Sequence, residues 1–242
     1  MNASSLVDPS VVQELVDANR ILYNEGVLDA FGHVSARHDK HRDRFLLAAN
    51  LAPALVGSDD ILEFDLDGSP VVDTDRRLYV ERFLHAEIYR ARPDVMAIVH
   101  SHSVAVLPFS VSQRARLRPV CHMSGFLGSG APVFDIRDTA GPATDLLIRD
   151  RELGVALAKS LDRHAVVLMR GHGSTVVAPS IRLAVYRAVY TEVNARVQLQ
   201  AEQLGPITFL TGEEADATAE SNEANVDRPW LLWQAKARLG GT

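Results

Sequence analysis

Two short apolar runs constrain this chain more tightly than any other feature. Val95-Met96-Ala97-Ile98-Val99 leads straight into His100-Ser101-His102, and Ala165-Val166-Val167-Leu168-Met169 leads into Arg170-Gly171-His172-Gly173. Apolar without alternation, such runs fit strands buried on both faces, and they fall far short of the ~18 residues that cross a bilayer. A sheet is therefore expected whose innermost strands end in imidazoles.

The flanking segments supply helices to cover that sheet. Asp8-Pro9 offers an N-cap and a proline at the first helical position, after which Val12, Leu15, Val16, Leu22 and Tyr23 recur until Gly26. Residues 78–90 carry Phe83, Leu84 and Ile88 at helical spacing, and Pro93 stops them before the first apolar run. After Thr175-Val176-Val177 resumes as a strand, a long helix is predicted over about 180–204. On this helix Glu192 and Arg196 share a face with Val185 and Val189, which suggests a buried polar contact or a subunit interface. Leu62, Phe64 and Leu66 alternate with acidic residues and meet the turn signal Asp67-Gly68 before Val71-Val72, predicting a half-exposed hairpin. The same acidic residues do not make a calcium loop, which needs further oxygen ligands at fixed offsets. Residues 117–141 are rich in proline and glycine, with a short strand expected at 132–136. With no internal repeat or linker, residues 1–242 read as a single α/β domain.

Charge and cysteine content narrow the function classes. Lys+Arg 25 against Asp+Glu 31 gives a net charge of −6, which argues against nucleic acid and against an anionic membrane surface as partners. A lone Cys121 cannot form an intrachain disulfide, and residues 1–6 show neither a basic nor an apolar targeting region, so a reduced cytoplasmic protein is expected.

The histidines point to chemistry. In a strand the period of two puts His100 and His102 on one face, near enough to share an ion, and His172 between two glycines can project from the end of the other strand. Glu81 lies on the helix before the first run. Three neutral imidazoles and a carboxylate form a catalytic metal set suited to zinc, manganese or iron, with positions left for substrate.

These motifs, with Phe31-Gly32-His33-Val34-Ser35-Ala36-Arg37 upstream, His85 four residues after Glu81, and Arg92-Pro93-Asp94, resemble the class II aldolase/adducin superfamily in order and over most of the chain. The resemblance implies a three-layer α/β/α fold with a central, mainly antiparallel sheet flanked by helices, and a homotetramer with active sites between subunits. It also implies a divalent metal on His100, His102 and His172, with Glu81 as a fourth ligand or, once substrate displaces it, the acid/base.

Departures from the sugar-phosphate aldolases narrow the substrate. Those enzymes cradle phosphate with a Gly-Asn step, a Thr-Pro-Ser-Gly-like turn and a Ser-Ser pair. The corresponding positions here read Gly32-His33, Ala48-Ala49-Asn50-Leu51 and Tyr79-Val80, which lack the small hydroxyl groups that hold a phosphate. Gly32-His33-Val34-Ser35, Leu51-Ala52-Pro53-Ala54-Leu55-Val56, His100-Ser101-His102-Ser103 and Met169-Arg170-Gly171-His172-Gly173 look most like the decarboxylase branch, which includes the 3-hydroxy-2-methylpyridine-4,5-dicarboxylate and dihydroxyphthalate decarboxylases.

The expected activity is metal-dependent loss of carbon dioxide from a hydroxylated aromatic or heteroaromatic carboxylate. Glu81, its pKa raised by an apolar site, or a relayed water would protonate the ring carbon, with His33 as the second catalytic candidate. His33 with Arg37 reads as a place for a carboxylate or phenol oxygen; Arg77 and Arg170 are further cations for a second carboxylate, and His122 could line the pocket. His85 reads as a structural histidine, and Trp230 and Trp233 as core. The rivals are an aldolase on an unphosphorylated hydroxy-ketone, a non-haem iron oxygenase on the same fold, and an adducin-like interaction module.

Overall fold

The computed structural model describes residues 7–239; residues 1–6, read above for targeting features, lie outside the described residues, as do residues 240–242. Seven strands form one sheet: β1 (His33–Arg37), β2 (Arg44–Ala48), β3 (Ile61–Asp65), β4 (Ala97–Ser101), β5 (Val133–Phe134), β6 (Val166–Met169) and β7 (Gly173–Ala178). Their order is β3-β2-β1-β4-β7-β6-β5, antiparallel throughout except for the parallel β5/β6 edge. Both apolar runs are strands, β4 and β6, and β7 lies between them.

Two hydrophobic layers hold this sheet. On one face Val34, Ala36, Val99 and Val176 pack with Leu15 and Ile21 of α1 (Pro9–Asn24) and, later in the chain, Val185 and Val189. On the other, Phe45, Ile98, Val167 and Val177 pack with Leu84 and Ile88 of α2 (Arg82–Ala91) and with residues further along the chain, including Leu157. Between β4 and β6 run α3 (Leu107–Val111), α4 (Arg137–Ala140) and α5 (Arg151–Leu161), with Leu157 on α5; after β7 come α6 (Ile181–Leu204), which carries Val185 and Val189, α7 (Gly212–Glu223) and α8 (Asp227–Leu239). The three-layer α/β/α arrangement is the one the resemblance implies.

Capping sets the helix boundaries, at α1 as the sequence suggests and at α6 and α7 through caps the sequence reading did not name. Asp8 accepts the Ser10 N–H at 2.9 Å, Ser180 caps α6, and Thr211 with Glu214 forms a capping box on α7. Trp230 and Trp233 are buried on α8 and fill the α1/α6 side of the core. Glu192 is buried on α6, bonded to Arg196 Nε at 2.8 Å and to the Ser103 hydroxyl.

One expected element is reduced. Gly68 takes a left-handed φ of +78° and the turn closes, but its return arm contributes only a bridge between Phe64 and Pro70, with Val72 exposed. The arm joins β3 through Asp65 N–H to Ser69 O and Val71 N–H to Glu63 O, both 2.9 Å, and then leaves the sheet. No helix among the described residues is long and apolar enough to cross a membrane.

Candidate metal centre

Register across three adjacent strands builds one row: His33 on β1 pairs with His100 on β4, which pairs with Thr175 on β7. Cross-strand partners share a face, so all three side chains lie on the α2 side of the sheet. Gly32 lets the chain enter β1 beside this row: its φ is +87°, and a Cβ there would sit 2.8 Å from the His100 carbonyl oxygen. Gly173 is needed for space, because a Cβ would meet Ser101 O at 2.0 Å. The glycine after His172 therefore keeps β7 against the end of β4.

Glu81, His100, His102 and His172 each bring one ligand atom into a group within 4.8 Å. His102 Nε2 lies 3.2 Å from His100 Nε2 and 2.9 Å from His172 Nε2, while Glu81 Oε2 is 3.4 Å and 3.5 Å from His100 and His172 Nε2. Ligand atoms about 2.1 Å from a common ion at tetrahedral angles stand roughly 3.4 Å apart, so the spacing fits a metal.

The outer hydrogen bonds fit one as well. His172 Nδ1 donates to Leu146 O at 2.8 Å, and His100 Nδ1 lies 3.4 Å from Thr175 Oγ1, whose proton is directed to Met169 Sδ. Each bond leaves the Nε2 lone pair facing inward, where opposed lone pairs favour a shared cation. Leu146 holds its carbonyl in place from a left-handed φ of +69°, rare for a non-glycine residue. Glu81 sits at the N-cap position of α2, yet its carboxylate does not cap its own helix; Oε1 accepts the Ile148 N–H at 3.0 Å and Oε2 faces the imidazoles. Neither Leu146 nor Ile148 carries a signal in sequence, because both act through the backbone.

Electrostatics correct one expectation. Burial opposes the Glu81 charge, but His100 and His172 outweigh it and hold the carboxyl well below its usual range rather than raising it. Burial likewise opposes the His172 cation, and its hydrogen bond to Glu81 overcomes this and raises its pKa. His102 is pushed down to about 4 by burial and by the neighbouring imidazoles.

His33 lies beside the group, its ring 4.9 Å from that of His100 and 4.6 Å from that of Tyr79. Tyr79, which sequence reasoning passed over except as a missing serine, walls this side. Burial, then His85 and His100, keep His33 well below the ordinary histidine value.

The candidate cations divide. Arg37 is buried, and its guanidinium donates to Val95 O, Arg42 O, Tyr89 O and Arg92 O at 2.9, 2.5, 2.6 and 3.0 Å. It stands four residues along β1 from His33, about 13 Å away, so it fastens the far end of the strands instead of reading substrate. Arg170 has its Nε 2.9 Å from Asp135, a carboxylate held low by Arg137 and Arg170, so its charge is already matched. His122 is exposed on a turn of 3-10 helix, with its carbonyl bonded to Asn222 Nδ2, and its ring makes no contact with the metal group among the described residues. Arg77 is exposed, four residues before Glu81, with no side-chain ion pair among the described residues.

Comparison with known proteins agrees with this geometry. The family profile described as Class II Aldolase and Adducin N-terminal domain matches residues 13–199. Decarboxylase tropJ of Talaromyces stipitatus is 40% identical over 253 residues, covering 95% of each chain. The 3,4-dihydroxyphthalate decarboxylase of a Terrabacter species is 30% identical over 229 residues, covering 89% of this chain and 88% of that one. Among solved structures, L-fuculose 1-phosphate aldolase from Glaciozyma antarctica superposes with a TM-score of 0.76 at 24% identity, over 96% of this chain and 90% of the other.

Proposed function

Because the chain belongs to the class II aldolase and adducin family, we propose that it is a divalent-metal-dependent decarboxylase of a hydroxylated aromatic carboxylate. The observation that carries this reading is the convergence of Glu81, His100, His102 and His172 in a chain that aligns almost end to end with a decarboxylase. A bound metal would supply Lewis acidity, drawing electron density toward a ring oxygen next to the departing carboxylate.

The chain's own residues do the rest. His33, with Tyr79 against its ring, holds a substrate oxygen beside the metal group. Glu81 stays anionic, so it balances cationic charge and accepts a proton more readily than it gives one. Carbon dioxide leaves its bonding pair on the ring carbon, and the proton that Glu81 or a water takes from the substrate's ring hydroxyl is returned to the vacated position. Arg77, exposed and the one candidate arginine not committed elsewhere among the described residues, is the cation this reading assigns to a second carboxylate. The position that reads Ser-Ser in phosphate-binding relatives is Tyr79-Val80 here, which favours a flat ring over a phosphate.

The test is carbon dioxide release from 3,4-dihydroxyphthalate and from a hydroxypyridine dicarboxylate by manganese-loaded protein, with a chelator control. Chelator-sensitive release supports the reading. Aldehyde formation from a hydroxy-ketone, or oxygen uptake, with no carbon dioxide released would overturn it.

A further inference from the structure

Behind His33 a line of hydrogen bonds runs from the site into the core. His33 Nδ1 lies 2.7 Å from His85 Nε2, His85 Nδ1 is 2.7 Å from Ser35 Oγ, and Ser35 Oγ is 2.8 Å from the Tyr89 hydroxyl. Ser35 and His85 are fully buried, Tyr89 is 1% exposed, and His33 retains 4%. Each bond taken alone could run either way; the line as a whole has a preferred direction.

With neutral rings the four groups carry one exchangeable proton each and share three hydrogen bonds, so one proton is left over, either at an end or, if Ser35 accepts from both neighbours, on the Ser35 hydroxyl, fully buried and with no further acceptor among the described residues. Run inward, the bonds go from His33 Nδ1–H to His85, from His85 Nδ1–H to Ser35, and from the Ser35 hydroxyl to Tyr89. The surplus proton is then on the Tyr89 hydroxyl, whose one hydrogen-bond partner among the described residues is Ser35 Oγ, already a donor to it. A buried donor without an acceptor is the costly outcome. Run outward, Tyr89 donates to Ser35, Ser35 to His85 Nδ1, and His85 Nε2–H to His33 Nδ1. The surplus proton then sits on His33 Nε2, at the end of the line that meets the site. The Arg37 guanidinium, 4.7 Å over the Tyr89 ring, draws electrons from the phenol and strengthens it as the first donor.

Building on the decarboxylase reading above, we propose that Tyr89, Ser35 and His85 are positioning residues that lock His33 in the tautomer with a bare Nδ1 and a protonated Nε2. His33 then meets substrate as a hydrogen-bond donor to an oxygen anion, phenolate or carboxylate, and not as a base. A ligand that presents a donor at this point finds no acceptor.

The tautomer can be read directly, without turnover. Two-bond nitrogen–proton correlation spectra of protein labelled with nitrogen-15 in histidine are recorded metal-free and zinc-loaded. His33 and His85 are assigned by signals lost in His33→Asn and His85→Gln, or by through-space contacts to Tyr79 and Ser35 where a variant does not fold. Expected are an unprotonated Nδ1 and a protonated Nε2 on both residues, and a downfield move of the His33 Nε2 proton when phthalate is added. A proton on His33 Nδ1, or a doubly protonated His33, overturns the proposal. The expected tautomer in a protein that releases no carbon dioxide refutes the decarboxylase reading and leaves the assignment standing; carbon dioxide release with the opposite tautomer does the reverse.

Discussion

Mild acid should destabilise this fold before any carboxylate titrates, and His85 gives the effect a size. An imidazole titrates near 6.5 in the unfolded chain, and burial pushes His85 down to about 3 in the native one. Between those values the unfolded chain holds a proton that the folded chain excludes. The His85 contribution is therefore complete above pH 6.5 and is lost as pH falls toward 3, at about 1.4 kcal/mol per pH unit. From pH 6.5 to pH 5 the loss is about 2 kcal/mol, a sizeable share of a typical 5–15 kcal/mol. His33 and His102 shift in the same direction and steepen the slope. His172, raised, works the other way, but only above 6.5, where its unfolded form begins to lose its proton. Urea unfolding of chelator-treated protein across this window measures the slope, and His85→Gln should reduce it by about one proton. A stability independent of pH between 6.5 and 5, or a slope unchanged in that variant, would refute the assignment of His85 as a neutral buried ring.

Three further outcomes are expected. Glu81→Gln keeps an acceptor for the Ile148 N–H but removes the anion facing His100 and His172, so metal affinity measured by chelator competition should fall at least tenfold. Below the raised His172 pKa, protons and metal compete for the same nitrogen, and affinity should drop about tenfold per pH unit, while His102, already down at about 4, adds nothing until stronger acid. Gly32→Ala puts a Cβ 2.5 Å from Leu28 Cδ2 and 2.8 Å from His100 O at a left-handed φ, and should cost about 1–3 kcal/mol or more in denaturant unfolding together with weaker metal binding; an unchanged midpoint would show that β1 can shift freely.

What was legible in the sequence depended on whether side chains or backbone did the work. His100, His102 and His172 stood out because apolar runs end at them and glycine lets β7 press on β4. Glu81 was legible as a site residue but not in its charge state, which depends on imidazoles brought from β4 and from the turn before β7. The strand β1 gave no apolar signal, since His33, Ser35 and Arg37 alternate with Val34 and Ala36 in a pattern that usually marks a wet face. All five residues are buried, because the polar three find partners in α2 and its flanking turns.

That burial explains why two residues on one short strand have opposite uses. An arginine buried without a carboxylate is stable only if its donors are met, and four carbonyls at the far end of the strands meet those of Arg37. The same requirement at the near end is met for His33 by His85 alone, which takes up Nδ1 and leaves Nε2 without a partner among the described residues. A buried polar group with one valence still open, placed 4.9 Å from a ring of the metal group, has to be completed by water or by a ligand. Satisfied donors therefore mark Arg37 as structure, and the open one is the ground for the substrate-facing role proposed for His33.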